Sequence, residues 1–212
     1  IVDTELQRLT QIFSTYLVDS EVSRFNQLEA NACIQVSSDF IDVLEASLYI
    51  HDKSNGAFNP LIEPLVSRWG FGASERVFDF PSPDEIASLR QSIDVSGLQV
   101  NPAVQTVCKG NAEMHLDFSA IAKGYAVDQL SRRLSEVGVN HHLVDVGGEL
   151  AVRGKNASGV AWRLAVEQPD KQYGVAQLVF ALGDGGVATS GDYRNYFILS
   201  LIHISEPTRP TP

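Results

Sequence analysis

The chain has 212 residues, of which 44% are hydrophobic and 20% are charged, a composition that suits one large or two small globular domains. Its formal net charge of −10 argues against a nucleic-acid partner, because binding a phosphate backbone requires a basic surface. No run approaches the roughly 18 apolar residues of a membrane-spanning helix, and no signal peptide opens the chain. The first residue is Ile rather than Met, so the sequence leaves export open.

The first half of the chain has helical signals. Apolar residues recur at helical spacing between residues 6 and 13, which predicts a helix that is followed by a capped polar loop. A second helix is predicted from about Asp39 to His51, where the turn residues KSNG follow. Ser82 and Pro83 precede acidic residues, which predicts the N-cap and first position of a further short helix.

The second half has strand signals. The segment LQVNPAVQTVCKGNAEMHLDFSA is interpreted as two short strands around residues 109–111, the second of which ends at Asp117. After Gly138, three segments alternate apolar and polar residues between glycine-rich turns, which predicts an antiparallel sheet. The chain has no internal repeat or linker, so we expect one mixed domain.

The two cysteines, Cys33 and Cys108, form neither a CxxC motif nor a zinc-binding pattern. We interpret them as buried thiols, with a single disulfide as the alternative.

The stretch DFSAIAKGYAVDQLSRRLSEVG, Asp117 to Gly138, predicts a helix with a small-residue entry, a glycine stop and a lysine, Lys123, in its first turn. Cations are disfavoured at the positive end of a helix dipole, where unpaired N–H groups attract anions. Lys123 is therefore either a solvated side chain or part of a phosphate site. The small residues around it would allow a ligand to approach the backbone, or would simply allow the helix to pack on a sheet.

Two other glycine-containing stretches suit a ligand site. In DVGGEL, the glycines Gly147 and Gly148 either admit a planar ring or form a hairpin turn. In SNGAFNPLIEPLVSRWGFG, Phe58, Asn59 and Trp69 place aromatic rings and an amide among glycines. This composition suits either stacking on a heteroaromatic ligand or ordinary core packing.

Six motifs in order along the chain resemble the ApbE family of FAD:protein FMN transferases: STYLVDSEVSRFN, GAFNPLIEPLVSRWGFG, LDFSAIAKGYAVDQLSRRL, HLVDVGGEL, AWRLAVEQP and ATSGDYRNYF. The resemblance covers residues 1–197. It implies an α+β fold of the ApbE type, related to the T-fold, in a single domain over residues 1–197 with an antiparallel sheet flanked by helices.

The resemblance also implies an activity. Family members are periplasmic enzymes, commonly inner-membrane lipoproteins, that bind FAD and magnesium (Mg2+). They attach FMN through a phosphoester to a threonine of a target protein, such as the flavin-acceptor subunits of membrane electron-transfer complexes. Two alternatives are a FAD pyrophosphatase that releases FMN and AMP, and a flavin-binding lipoprotein without catalysis.

Particular positions follow from the resemblance and from the glycines of DVGGEL. Ala120 matches a position whose backbone carbonyl reaches magnesium, and the family more often has Asp where Asn59 stands. No catalytic residue is assigned, because the family's catalytic His and its further Asp and Thr metal ligands follow the matched region. The expected flavin-binding residues are Ala57, Phe58, Asn59, Asp117, Lys123, Gly147 and Gly148.

The last residues differ in character from the rest. LSLIHISEPTR, Leu199 to Arg209, resembles the translation of a sequencing-adapter end. We therefore predict that residues 198–212 are a non-native tail, with a genuine edge strand as the alternative. The chain is then expected to be an N-terminal fragment that does not transfer FMN by itself.

Overall fold

The computed structural model describes residues 1–71, 80–168, 175–191, 196–199 and 202–205. The chain forms two compact units, which we name the helical unit (residues 7–122) and the sheet unit (residues 1–6 and 123–205). Helices and small antiparallel sheets make up the described residues, which confirms the predicted α+β fold. The single domain expected over residues 1–197 stays a prediction.

The helices are α1 (Val2–Phe13), α2 (Glu21–Asn26), α3 (Ser38–Lys53), α4 (Glu63–Arg68), α5 (Pro83–Ser92) and α6 (Ala122–Glu136). The strands are β1 (Cys33–Gln35), β2 (Leu98–Asn101), β3 (Thr106–Lys109), β4 (His142–Val146), β5 (Glu149–Arg153), β6 (Trp162–Glu167), β7 (Ala176–Leu182), β8 (Gly185–Val187), β9 (Tyr196–Leu199) and β10 (Ile202–Ser205).

Serine side chains begin three of the helices. Ser82 caps α5 in a reciprocal capping box with Glu85, and Pro83 is the first helical residue, so this predicted helix start is confirmed. Ser37 caps α3, which covers the predicted second helix. Ser20 caps α2, which lies inside the segment predicted to be a loop. A six-residue helix is too short to show a hydrophobic period, and for this reason the prediction missed it.

The hairpin of the helical unit turns at a different place from the predicted one. β2 and β3 are joined through residues 102–105, where Pro102 opens a 3₁₀ turn and Gln105 has a left-handed φ of 51°. β3 then pairs with both β2 and β1 in the order β1-β3-β2. Residues 110–121 form no strand, so the predicted strand that ends at Asp117 was wrong.

A disulfide joins Cys33 of β1 to Cys108 of β3, and the strand register sets the two residues directly opposite each other. The interpretation of these residues as buried thiols was wrong, since Cys33 is exposed and Cys108 is half-buried. The cysteines are 75 residues apart in sequence, and only the pairing of β1 with β3 brings them together.

Side-chain hydrogen bonds, rather than sheet pairing, hold the segment 112–118. The amide of Asn26 bonds both backbone groups of Leu116, with N···O distances of 2.7 and 3.0 Å. The buried ammonium of Lys109 donates to the carbonyls of Asn26, Ala112 and Met114. Burial lowers the pKa of Lys109. These bonds give partners to backbone groups of residues 112, 114 and 116, a segment that forms no strand.

Phe118 anchors the end of the same segment in the core of the helical unit. Its ring makes edge contacts with Phe13 at 5.8 Å and with Phe40 at 5.1 Å between centroids. All three rings are buried. Because Asp117 precedes Phe118, this packing determines where the Asp117 backbone lies.

In the sheet unit, α6 packs its apolar face on the sheet that contains β4 and β5. Val127 and Leu130 of α6 form a buried cluster with Val144 of β4 and Ala151 of β5. The helix ends at Glu136, and Gly138, two residues later, has a φ of +84°. The predicted helix with a glycine stop is thereby confirmed, and Lys123 lies in its first turn.

The strands after Gly138 pair antiparallel, as predicted, but in separate small sheets. The described pairings are β4-β5-β8, β6-β7 and β9-β10. β10 lies within residues 198–212, of which 200–201 and 206–212 are outside the described residues. The non-native origin of that segment stays a prediction.

Candidate functional site

A tight turn after α3 carries three of the expected flavin-binding residues. The N–H of Phe58 donates to Ser54 Oγ at 3.0 Å, and the Phe58 carbonyl accepts from His51 Nδ1 at 2.8 Å. Ala57 is exposed, and Phe58 is half-buried. Both backbone groups of Phe58 are therefore bound to the end of α3, and the turn has a defined conformation.

Both polar atoms of the Asn59 side-chain amide make hydrogen bonds. Nδ2 donates to the carbonyl of Ile93 at 2.8 Å, and Oδ1 accepts from the N–H of Leu61 at 2.9 Å. An aspartate here would place a carboxylate oxygen against the Ile93 carbonyl, and two acceptors repel each other. This contact gives a physical reason for Asn at a position where the family more often has Asp. Its contact with flavin stays a prediction.

Asp117 lies beside this turn. Its N–H donates to the carbonyl of Pro60 at 2.8 Å, and its Oδ1 accepts from the N–H of Ser119 at 2.7 Å. The residue is 7% exposed. Ala120, the expected magnesium contact, is exposed in the turn that follows. The helical unit thus brings the turn at residues 57–60 next to Asp117, two segments that are more than 50 residues apart in the chain.

The same region contains a cluster that sequence reasoning missed. Nδ1 of His115 lies 2.9 Å from Oε2 of Glu63, and the hydroxyl of Ser67 donates to Oε1 of Glu63. Burial raises the pKa of Glu63, but the hydrogen bonds from His115 and Ser67 and the charge of His115 outweigh it, so the pKa is below its ordinary value. The sequence carries no signal for this pair, because its members lie 52 residues apart.

In the sheet unit, Lys123 is paired with Glu149. Nζ donates to Oε1 at 2.9 Å and lies 2.8 Å from Oε2. The glutamate side chain is 15% exposed and the lysine side chain 38%. Oε2 is buried and accepts no hydrogen bond. Its contact with the Lys123 ammonium is therefore an ion pair that lacks hydrogen-bond geometry. Lys123 is therefore not a simply solvated side chain, and sequence reasoning missed Glu149 as its partner.

Gly147 and Gly148 form the two-residue turn between β4 and β5. Their φ values are +62° and +94°, the left-handed pair that a tight hairpin requires. The hairpin alternative is thus what the structure contains, and a role in admitting flavin stays a prediction. A Cβ on Gly147 would lie 3.4 Å from Cδ of Lys123, so the lysine stem runs across the turn.

The described residues do not fit a metal site on their own. No group of three or more His, Cys, Asp and Glu side chains within them could hold a metal ion. Ala120 would supply a single carbonyl, whereas magnesium requires near-octahedral oxygen coordination. Across the same residues, no helix has the length and apolar character to cross a membrane.

Known proteins resemble this chain in sequence over most of its length. The profile of the ApbE family matches residues 1–212, which extends past the residue 197 where the sequence resemblance ended. The FAD:protein FMN transferase of Vibrio cholerae serotype O1 is 35% identical over 214 residues, covering 100% of this chain and 64% of the relative. That of Haemophilus influenzae is 36% identical, covering 92% of this chain and 58% of the relative. The chain therefore spans about three fifths of the length of these curated relatives.

Solved structures give the same result. The flavin transferase ApbE of Vibrio cholerae superposes with a TM-score of 0.85 at 33% identity, covering 100% of this chain and 68% of that one. The apo flavinyl transferase ApbE of Pseudomonas stutzeri has a TM-score of 0.85 at 38% identity, covering 99% of this chain and 66% of that one. The family-profile match over the whole chain establishes what the motif order indicated, that this chain belongs to the ApbE family.

Proposed function

We propose that this chain is the FAD-binding part of a FAD:protein FMN transferase. In the proposed reaction a threonine hydroxyl of a target protein attacks the FMN phosphorus of FAD. A phosphoester forms, the pyrophosphate bond breaks, AMP leaves, and the hydroxyl proton passes to solvent or a base. The observation that carries the proposal is the 2.8 Å hydrogen bond from Asp117 N–H to the Pro60 carbonyl, which sets two expected flavin-binding segments side by side.

Lys123 is proposed to bind the pyrophosphate of FAD. An ammonium has three N–H donors, and Glu149 takes one of them in a hydrogen bond. The lysine side chain is 38% exposed, so its remaining donors are accessible to an arriving phosphate oxygen. A cation opposite a pyrophosphate offsets the unfavourable position of that cation at a helix N-terminus.

Magnesium is proposed as the metal of the whole protein and would neutralise charge on the transferred phosphoryl group. Ala120 would contribute its carbonyl. Since the described residues do not form a metal site, the other ligands are proposed to lie outside them, and we derive no step of the reaction through the metal.

We propose a periplasmic location, with an inner-membrane lipid anchor in the full-length protein. The disulfide between Cys33 and Cys108 supports export, because disulfides persist in oxidising compartments and are rare in the bacterial cytosol. The proposed partners are flavin-acceptor subunits of membrane electron-transfer complexes.

The proposal is tested in two steps. The 212-residue chain is titrated with FAD by flavin fluorescence, and Asp117→Asn and Lys123→Ala are expected to weaken binding by about tenfold or more, the range for a hydrogen bond to a charged group. The full-length protein is then incubated with FAD, magnesium and an acceptor, and covalent flavin is measured on the acceptor. Free FMN without an acceptor would instead indicate a pyrophosphatase, and FAD binding without either product would indicate a noncatalytic flavin-binding protein.

A further inference from the structure

The cluster of Glu63, Ser67 and His115 has no part in the flavin contacts proposed above. The pKa of Glu63 is held below its ordinary value, so the side chain is a carboxylate at neutral pH and can only accept hydrogen bonds. Nδ1 of His115 must therefore carry the proton in the 2.9 Å contact with Oε2. Nε2 of His115 has no hydrogen-bond partner among the described residues.

The Glu63–His115 pair is close in sequence both to the turn at residues 57–60 and to Asp117. Glu63 opens α4, three residues after Pro60, and His115 lies two residues before Asp117. The Glu63–His115 bond therefore joins the same two segments as the backbone bond from Asp117 to Pro60. One bond is made by backbone atoms and the other by side chains.

The segment that carries Asp117 depends on such contacts. Residues 114–118 belong to no helix or strand, so no regular hydrogen-bond ladder holds them. Leu116 is bound by Asn26, and the residues on either side of it, His115 and Asp117, are bound to the region that follows the turn. Among the described residues, removing the His115 contact leaves one hydrogen bond between residues 115–117 and residues 60–63, from the Asp117 N–H to the Pro60 carbonyl.

We propose that Glu63 and His115 are positioning residues that hold Asp117 at a fixed place relative to the turn at residues 57–60 and thereby set the affinity of the helical unit for FAD. The inference rests on the proposed function. If the two segments separate in part of the population, only the remaining fraction binds, and the apparent dissociation constant rises by the inverse of that fraction.

The surroundings of the two side chains distinguish a positioning role from a contribution to global stability. When His115 is replaced, Glu63 keeps the hydrogen bond from Ser67, and when Glu63 is replaced, the His115 side chain is 35% exposed and open to water. Loss of the contact should therefore lower the midpoint of thermal unfolding only modestly, by about 2–4 °C at neutral pH. The expected effect is on binding and on the local order of the two segments.

Helix α4 offers a matched control. Arg68 forms an ion pair with Glu85 of α5, with 3.2 Å between Nη2 and Oε1, and this pair does not involve residues 115–117. Arg68→Gln removes a comparable contact from the same helix. His115→Gln is the conservative variant, because its amide can donate to Glu63 as the imidazole does.

The experiment uses the 212-residue chain with each variant. FAD affinity is measured by flavin fluorescence, local order by hydrogen exchange at residues 57–61 and 115–118, and global stability by thermal unfolding. We expect His115→Ala and Glu63→Gln to weaken FAD binding about tenfold and to increase exchange in both segments. Arg68→Gln should stay within about twofold, and His115→Gln should recover part of the loss.

The inference and the proposed function fail differently. If the unsubstituted chain binds FAD and His115→Ala binds equally well, the positioning role is wrong while the proposed function stands. If the unsubstituted chain does not bind FAD, the proposed function of this chain is wrong. Hydrogen exchange then still tests whether the Glu63–His115 contact holds the two segments together. Unchanged protection at residues 57–61 in His115→Ala would show that it does not.

Discussion

Replacing Lys123 by methionine should destabilise the protein more than replacing Glu149 by glutamine, although both changes remove the same ion pair. The reason is the unequal exposure of the partners, 15% for the glutamate side chain and 38% for the lysine. After Lys123→Met, a carboxylate remains whose Oε2 is buried and has no hydrogen bond. After Glu149→Gln, the ammonium is exposed enough for water to solvate it.

The size of the difference follows from these environments. Leaving a buried charged group without its partner costs about 1–3 kcal/mol, and solvent at the exposed lysine end reduces the contribution of the pair. We therefore expect Lys123→Met to lower the free energy of unfolding by about 1.5 kcal/mol and Glu149→Gln by about 0.5 kcal/mol. The double variant contains no unpaired charge and should resemble Glu149→Gln alone, which gives a coupling of about 1.5 kcal/mol.

Urea unfolding of the four proteins, followed by circular dichroism, measures this cycle. Equal costs for the two single variants, or a coupling below about 0.3 kcal/mol, would refute the argument that the buried carboxylate oxygen depends on Lys123.

Three other predictions concern the disulfide, a glycine and the acid response. Reduction of the disulfide, or Cys33→Ala, should lower the free energy of unfolding by up to about 4 kcal/mol, since 75 residues separate the cysteines. Urea titrations with and without a phosphine reductant check this, and identical midpoints would contradict it. Gly154→Ala should lower stability by more than about 2 kcal/mol, because φ is +67° and a Cβ would overlap the His141 ring. Gly159→Ala, with a φ of +75° and open space around the added Cβ, should cost only about 1 kcal/mol. Urea unfolding of the two glycine variants checks both values, and equal costs would contradict the predicted overlap with His141. The pKa of Glu63 is lowered by folding from 4.5, so its stabilisation is present above that value and is lost as the pH falls through the folded pKa. The difference in unfolding free energy between the natural chain and Glu63→Gln should accordingly shrink between about pH 7 and about pH 3, and a constant difference would contradict the assignment.

Local patterns in the chain were sufficient for the elements that local physics specifies. Ser82, Pro83 and Glu85 form a helix start through contacts within four residues, and the prediction there was confirmed. The helix that carries Lys123 and ends before Gly138 was also predicted, because its small-residue entry and its glycine stop are both sequence-local. The order of six motifs indicated the ApbE family before any geometry was known.

Predictions failed where distant residues decide the structure. The segment before Asp117 has strand-like composition, but its backbone bonds to Asn26, which is 90 residues from Leu116, and to the buried side chain of Lys109. The hairpin turns at residues 102–105 rather than at 109–111, and β3 also pairs with β1, whose Cys33 is 75 residues from its partner Cys108.

The sequence by itself determined the family, the α+β class and the segments that carry the candidate site. Only the tertiary structure showed that Cys33 bonds Cys108, that Glu149 neutralises Lys123 and that Glu63 meets His115. The physical reason is common to all three pairs. A hydrogen bond, ion pair or disulfide depends on the distance between two atoms in space, and separations of 75, 26 and 52 residues along the chain carry no information about that distance until the strands and helices have packed.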